Sequence, residues 1–204
     1  MNGIEEYSEK FYSGSEDILE NENLLIKKLL LQELNKGEKQ VLLDFGCGSG
    51  DWLDFFVQFE DKIYATDKSI EAMDFCKEKR QYNKVVFLDF DEKKIKLEDF
   101  SVDVITVFWV FQEILNDDEM DLFLREFNRI LKTNGLIIVI ENQYSDIRKF
   151  MASTRYGDML INSKGNILRQ FSNNTVDFIF ERLHYRKCKH QEFGISFFEI
   201  YQKY

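Results

Sequence analysis

The sequence predicts an α/β protein: a doubly wound, mostly parallel sheet of seven strands, with an antiparallel C-terminal strand pair and helices on both faces. Three observations predict it. Short apolar runs alternate with helix-like runs through the middle of the chain, one apolar run ends in a glycine-rich turn, and the last third changes to hairpin-like spacing. Strands separated by helices pair in parallel and are buried on both faces, so they read as continuous apolar runs.

The elements follow in order. Residues 16–36 predict an amphipathic helix with Ile18, Leu19, Leu25, Ile26, Leu29, Leu30 and Leu34 at roughly helical spacing and a stop at Gly37. Strands are predicted at 40–45, 62–66, 84–88, 102–108 and 136–141, and helices at 51–59, 69–78 and 118–132. The last of these carries Met120, Phe123, Leu124, Phe127, Ile130 and Leu131 on one stripe and is expected to end at Asn134-Gly135. Asp117, Asp118 and Glu119 suit the start of that helix, where carboxylates favour the dipole. Further on, 159–161 and 166–168 predict a hairpin about the turn 162–165. Ser172 is placed to cap a helix over 173–183, and two closing strands fall near 184–189 and 195–201. The expected organisation is one domain over 1–204: a helical cap (1–37), a binding core (38–142), a lid or hairpin insertion (143–171), and a C-terminal helix and strand pair (172–204).

Composition narrows the classes. An apolar content of 44% belongs to a chain with a packed core, not a disordered one. A net charge of −10 disfavours nucleic acid, which draws on clustered cations; a modest cluster stands at Arg182, Arg186, Lys187 and Lys189. Three dispersed cysteines, Cys47, Cys76 and Cys188, with His184 and His190, fit neither a disulfide framework nor a metal site, so a reducing, cytoplasmic setting is expected and no metal. The apolar runs are too short to span a bilayer and the first residues lack a leader pattern, so no membrane association is expected.

The chemistry begins at Val41–Gly50, VLLDFGCGSG. A strand feeding a glycine turn and then a helix brings backbone against a nucleotide-like ligand. Gly46, Gly48 and Gly50 allow the sharp turn and close approach, and Asp51 stands where a dinucleotide fingerprint needs a small residue, which disfavours a nicotinamide-dependent reductase. Asp67 ends the second strand, where a carboxylate can accept from both hydroxyls of a ribose. Asp89 ends the third, where a carboxylate could accept from the exocyclic amine of adenine, although an acidic strand end also suits a simple turn. The fourth strand runs into Phe108, Trp109, Phe111, Gln112 and Glu113. Ligands of open parallel sheets bind at the carboxyl ends of the strands, so these features converge on one rim.

With these motifs in place the chain resembles a class I S-adenosylmethionine-dependent methyltransferase of the Rossmann-like kind, across residues 38–142 and more weakly beyond. DFGCGSG resembles the family's acidic-x-Gly-x-Gly-x-Gly motif, LDFDE its adenine-contacting segment, VDVITVFWVFQEI its fourth strand, and RILKTNGLIIVIE its helix end, glycine turn and fifth strand. The resemblance implies S-adenosyl-L-methionine as cofactor and S-adenosyl-L-homocysteine as product. The implied cofactor contacts are Asp44 (toward the amino group), Phe45, Gly46, Cys47, Gly48, Gly50, Asp67, Lys68 (its stem over adenine), Asp89, Phe90, Val107 and Phe108. The sequence departs from the family's strand-four loop, S-x-x-L-H, with Phe108 and Gln112 at the first and last positions.

Methyl transfer from a sulfonium is a direct displacement, so the protein's main task is alignment. An acceptor that must lose a proton also needs a base, for which Glu113, Tyr144 and His184 are the candidates. The acceptor is expected among Tyr7, Phe11, Tyr12, Trp109, Gln112, Asn142, Tyr144, Arg155 and Tyr156. These segments are aromatic and poor in cations, which predicts a small or medium organic acceptor with an apolar or ring component, handled by a monomer or homodimer. An RNA or protein methyltransferase, and a non-catalytic cofactor-binding module, are the alternatives.

Overall fold

Alternate residues of the central strands enter two different cores. In β1 (Val41–Phe45), Leu42 packs to one side of the sheet and Leu43 to the other; in β4 (Val102–Phe108), Val104 and Ile105 divide the same way, and in β5 (Leu131–Asn142) so do Ile138 and Ile137. The period of two along a strand makes both faces apolar and demands helices on each. In this computed structural model α1 (Glu16–Leu34), α2 (Leu53–Phe56) and α3 (Ile70–Arg80) cover one face. The other is covered by α4 (Asp117–Ile130) and α5 (Thr175–Arg182). The structure describes residues 16–34, 40–60, 62–80, 82–89, 91, 94–143, 147–171 and 175–204.

With β2 (Lys62–Thr66), β3 (Val85–Phe87), β9 (Tyr185–Phe193) and β10 (Ser196–Lys203), the main sheet has seven strands in the order β3-β2-β1-β4-β5-β10-β9. The first five pair in parallel, and β10 runs antiparallel to both β5 and β9, as the sequence predicts. The chain leaves β1 toward β2 and β3 and returns to β4 on the other side. The carboxyl ends of β1 and β4 therefore form the switch point at which such sheets bind ligands. No helix among the described residues is long and apolar enough to cross a membrane.

Three details depart from the sequence-based expectations. The helix predicted over 51–59 contains four α-helical residues, Leu53–Phe56, within a longer series of turns. Helix α4 stops at Ile130, not at Asn134-Gly135. Leu131 is already extended, at φ −75° and ψ 131°, and pairs with Val102, so the Asn-Gly pair falls in an irregular stretch of the β4–β5 ladder. The helix end is closed by a distant residue, since Lys203 Nζ donates to the carbonyls of Asn128 and Leu131.

The third departure is a separate sheet. The predicted hairpin is β7 (Gly157–Asn162) and β8 (Ile167–Gln170), and a further strand, β6 (Ile147–Thr154), makes it a three-stranded antiparallel sheet. Arg169 ties it to the main body. Its guanidinium is fully buried, donates to the carbonyls of Ile114 (2.9 Å) and Leu115 (3.0 Å), and pairs with Asp117 at 2.8 Å. The Ser172 cap falls outside the described residues.

Candidate functional site

The turn after β1 is held from below by β2. Gly46 and Cys47 both donate their N–H to the carbonyl of Thr66, at 2.8 and 3.1 Å. The Asp67 carboxylate then takes the Gly48 N–H on one oxygen (2.7 Å) and the Ser69 N–H on the other (2.8 Å). Each oxygen keeps a second lone pair, so a ribose diol can still be received there.

The three glycines serve three different neighbours. A Cβ on Gly46 would lie 2.2 Å from Val110 Cγ2, so this glycine lets the loop after β4 close on the turn. A Cβ on Gly50 would lie 2.4 Å from Cys76 Sγ, so this one lets α3 pack beneath. A Cβ on Gly48 would meet no described atom within 4 Å, at a left-handed φ of +51°. Of the three, the middle glycine alone faces open space, which leaves room for a ligand against its backbone.

At the foot of the turn Asp44 is buried, 3% exposed. Thr106 Oγ1 donates to its Oδ1 at 2.8 Å, while Oδ2 is buried and finds no hydrogen-bond partner among the described residues. Burial pushes its pKa up to about 7, against the Thr106 hydrogen bond and with the Asp67 charge adding to the rise. A buried carboxylate oxygen left without a donor is costly unless something cationic or protic meets it. Cys47 is buried beside it, and burial together with the Asp44 and Asp67 charges pushes its thiol pKa up, so it is an inert small residue there.

Around the rim the predicted residues divide. Phe45 and Val107 are buried on the α4 face, Phe45 edge-on to Phe123 and Phe127, so neither side chain reaches the open turn. Lys68 is exposed and 3.9 Å from Glu119. Asp89 is exposed, 3.6 Å from Lys96, and with Phe45, Thr66, Leu88 and Ile95 it lines a small cleft at the ends of β2 and β3. Phe90, Tyr144, Tyr7, Phe11 and Tyr12 lie outside the described residues.

On the far side of the turn Phe108 is buried against Trp52, with ring centroids 5.2 Å apart. Trp109 turns the chain at φ 58°, a conformation a bulky residue holds only when its surroundings enforce it. Its amide donates to the carbonyl of Ile140 (2.7 Å) and its indole N–H to Asn142 Oδ1 (3.1 Å), which also accepts from Ser196 Oγ at 2.6 Å. The Trp52 and Trp109 rings lie 6.4 Å apart, both half-buried. Gln112 is buried and Glu113 exposed on a 3-10 turn over Phe111–Glu113. Arg155 and Tyr156, at the tip of β6–β7, dock on Asp121 of α4.

One candidate base is misplaced. His184 precedes β9, whose first residue pairs with Lys203 at the end of β10, on the opposite edge of the sheet from the β1 and β4 carboxyl ends. The β9 cations are likewise engaged elsewhere: Lys187 with Asp177 and Glu199, Lys189 with Gln32 and Glu33, Arg186 with Gln202. Sequence reasoning missed Trp52, Thr106 and Glu141. Glu141 had a signal, a carboxylate ending an apolar run that a parallel sheet buries on both faces.

Comparison with known proteins falls on this same segment. Residues 43–139 match the family described as "Methyltransferase domain", and the seven-stranded sheet that contains them has the Rossmann-like order. It is similar to a Campylobacter jejuni protein named ubiquinone/menaquinone biosynthesis C-methyltransferase UbiE, with 26% identity over 136 residues, 62% of this chain and 56% of that one. It is similar also to an Archaeoglobus fulgidus protein named "Probable cobalt-precorrin-6B C(15)-methyltransferase (decarboxylating)", with 34% identity over 80 residues, 39% of this chain and 47% of that one. The chain thus spans about half the length of these relatives. The structure of the PH0226 protein from Pyrococcus horikoshii OT3 shares the fold, with a TM-score of 0.75 over 98% of this chain and 99% of that one, at 18% identity.

Proposed function

We propose that this protein is an S-adenosylmethionine-dependent methyltransferase that acts on a small or medium organic acceptor carrying an apolar ring. The observation that carries the cofactor reading is the buried, unpartnered Asp44 Oδ2 at the foot of a turn whose middle glycine faces open space. An ammonium group suits that oxygen, and a ribose suits Asp67 one strand over. Asp44, Gly48 and Asp67 would hold the cofactor, with Asp89 beside the cleft at β2 and β3. When bound, the cofactor supplies a methyl group already activated on a sulfonium.

The chain's own work is then alignment, which in favourable cases lowers a barrier by roughly 7–11 kcal/mol. Thr106 fixes one oxygen of Asp44, and Asp67 fixes the glycine turn through two backbone amides. Trp52, Phe108 and Trp109 form an aromatic wall beside that turn, suited to a flat apolar acceptor. The names of the quinone and cobalt-precorrin relatives support a ring-bearing organic acceptor. The internal pairing of the β9 cations favours it over nucleic acid. For an acceptor that must lose a proton, Glu113 stands exposed on the same rim. Free Cys47, Cys76 and Cys188 support a reducing, cytoplasmic setting.

The test is calorimetry with S-adenosylhomocysteine and with a nicotinamide dinucleotide, followed by transfer of labelled methyl groups into fractionated metabolites. Binding of the adenosyl ligand alone, with label in a small-molecule fraction, is the expected result. Binding of the dinucleotide alone, or label only in RNA or protein, would overturn it.

A further inference from the structure

We propose that Glu141 is the positioning residue of the acceptor wall: its buried carboxylate holds the β4–α4 loop so that Trp109 and Val110 close on the glycine turn. The inference rests on the methyltransferase reading for its meaning, and on Glu141's contacts for its geometry.

Glu141 is fully buried at the carboxyl end of β5, after the apolar residues Leu136–Ile140. A carboxylate in that place is tolerated only if its oxygens are satisfied. They are satisfied by one loop. Oε1 accepts the Phe111 N–H at 2.7 Å and Oε2 the Gln112 N–H at 3.3 Å. Burial pushes its pKa well up against those same amides.

The neighbours of Glu141 act on the same loop. The Ile140 carbonyl takes the Trp109 amide, and the Asn142 side chain takes the Trp109 indole. Three consecutive residues of β5 thus fix Trp109's backbone, the turn that follows it, and Trp109's ring. The left-handed φ of Trp109 needs such over-determination. Val110, between the anchored residues, is the side chain that meets Gly46. Glu141 acts on the site through this loop, from the strand beyond it.

The protein contains two tryptophans, Trp52 and Trp109, so Trp52→Phe makes Trp109 the sole tryptophan, excited selectively over tyrosine at the red edge. Glu141→Gln in that background keeps the volume but offers one acceptor oxygen where two served, and turns an amide donor toward backbone donors. Acrylamide quenching of Trp109 should rise severalfold and its emission shift to the red, with far-UV circular dichroism unchanged. S-adenosylhomocysteine affinity should fall about tenfold, as the loop that carries Val110 no longer closes on the glycine turn. Should the variant fail to fold, hydrogen exchange in the unmodified protein answers the same question: the Phe111 and Gln112 amides should be protected like those of β5. A folded variant with unchanged Trp109 quenching, or exchange of those two amides at free-loop rates, overturns the proposal. Absence of adenosyl-ligand binding to the parent defeats the cofactor reading instead, because quenching and exchange report the loop without any ligand.

Discussion

The two sides of the rim are built by different means. On the β1 side the rim is backbone from one short segment, Gly46–Gly50, braced by the next strand through Thr66 and Asp67. On the β4–β5 side it is side chains from distant segments: Trp52, Phe108 and Trp109, held by Glu141, Asn142 and Ser196. The first arrangement accepts substitution poorly because backbone must pass close to its neighbours. The second can change its lining while keeping its anchors, as one fold serving many acceptors requires.

The sharpest way to break this comparison is at the glycines. Gly48→Ala should leave the fold nearly intact, since its Cβ meets no described atom and the left-handed backbone costs about 1 kcal/mol. It should lower S-adenosylhomocysteine affinity by at least about 100-fold, roughly 2.7 kcal/mol, by filling the ligand's space. Gly46→Ala should do the reverse. Its Cβ would run into Val110, and overpacking with backbone strain should cost about 3 kcal/mol of stability, seen as a lowered denaturation midpoint. Equal losses of binding and stability in both variants would refute the division of labour among the glycines.

Asp67→Ala comes next. It removes the acceptor for a ribose and also frees the Gly48 and Ser69 amides. Calorimetry should show adenosyl-ligand binding weakened by about 1–3 kcal/mol, with stability falling as well. A variant that binds like the parent would place the ribose elsewhere.

This contrast also explains what could be read from the sequence. A turn built from five consecutive residues shows itself locally, and the alternation of Leu42 with Leu43 or Val104 with Ile105 announces a sheet buried on both faces. Strand β6 did not show itself, because most of its length is exposed on both faces and no period of two is imposed on it. Trp52 and Glu141 escape a reading by spacing for a related reason. Each acts through partners far away in sequence, Trp52 on Trp109 and Glu141 on Phe111, and spacing along the chain does not reveal such pairs. The α4 boundary escapes it likewise, since its end is closed by Lys203 from the last strand. His184, a candidate base by residue type alone, lies on the other edge, because strand order and direction, not composition, decide which edge a loop occupies.

Asp44 sharpens the comparison through pH. Its folded pKa of about 7 lies above the ordinary carboxylate value of 3.8. The stabilisation that comes from keeping it protonated is present below the unfolded value and lost as pH rises through about 7. Binding of a cation runs the other way, because it needs the ionised form. S-adenosylhomocysteine, which carries the ammonium group, should therefore bind more tightly as pH rises toward 7, by up to about tenfold per unit, and release a proton as it binds. Calorimetry in buffers of different ionisation enthalpy measures that release. Asp44→Asn, which keeps an acceptor for Thr106, should flatten the profile; a profile as steep as the parent's would assign the titration to another group.

The smallest effect tests the side-chain half of the rim. Trp109→Phe keeps an aromatic surface but removes the indole N–H that Asn142 accepts. Asn142 Oδ1 still receives Ser196 Oγ, so no buried acceptor is left without a donor and the cost in stability should be only about 0.5–1.5 kcal/mol. Adenosyl-ligand affinity should stay within about threefold of the parent, under about 0.7 kcal/mol, because the glycine turn and both aspartates are untouched. If cofactor affinity instead collapses while the fold holds, the aromatic wall belongs to the cofactor's own seat, and the acceptor must be sought beyond Asn142 and the three-stranded sheet.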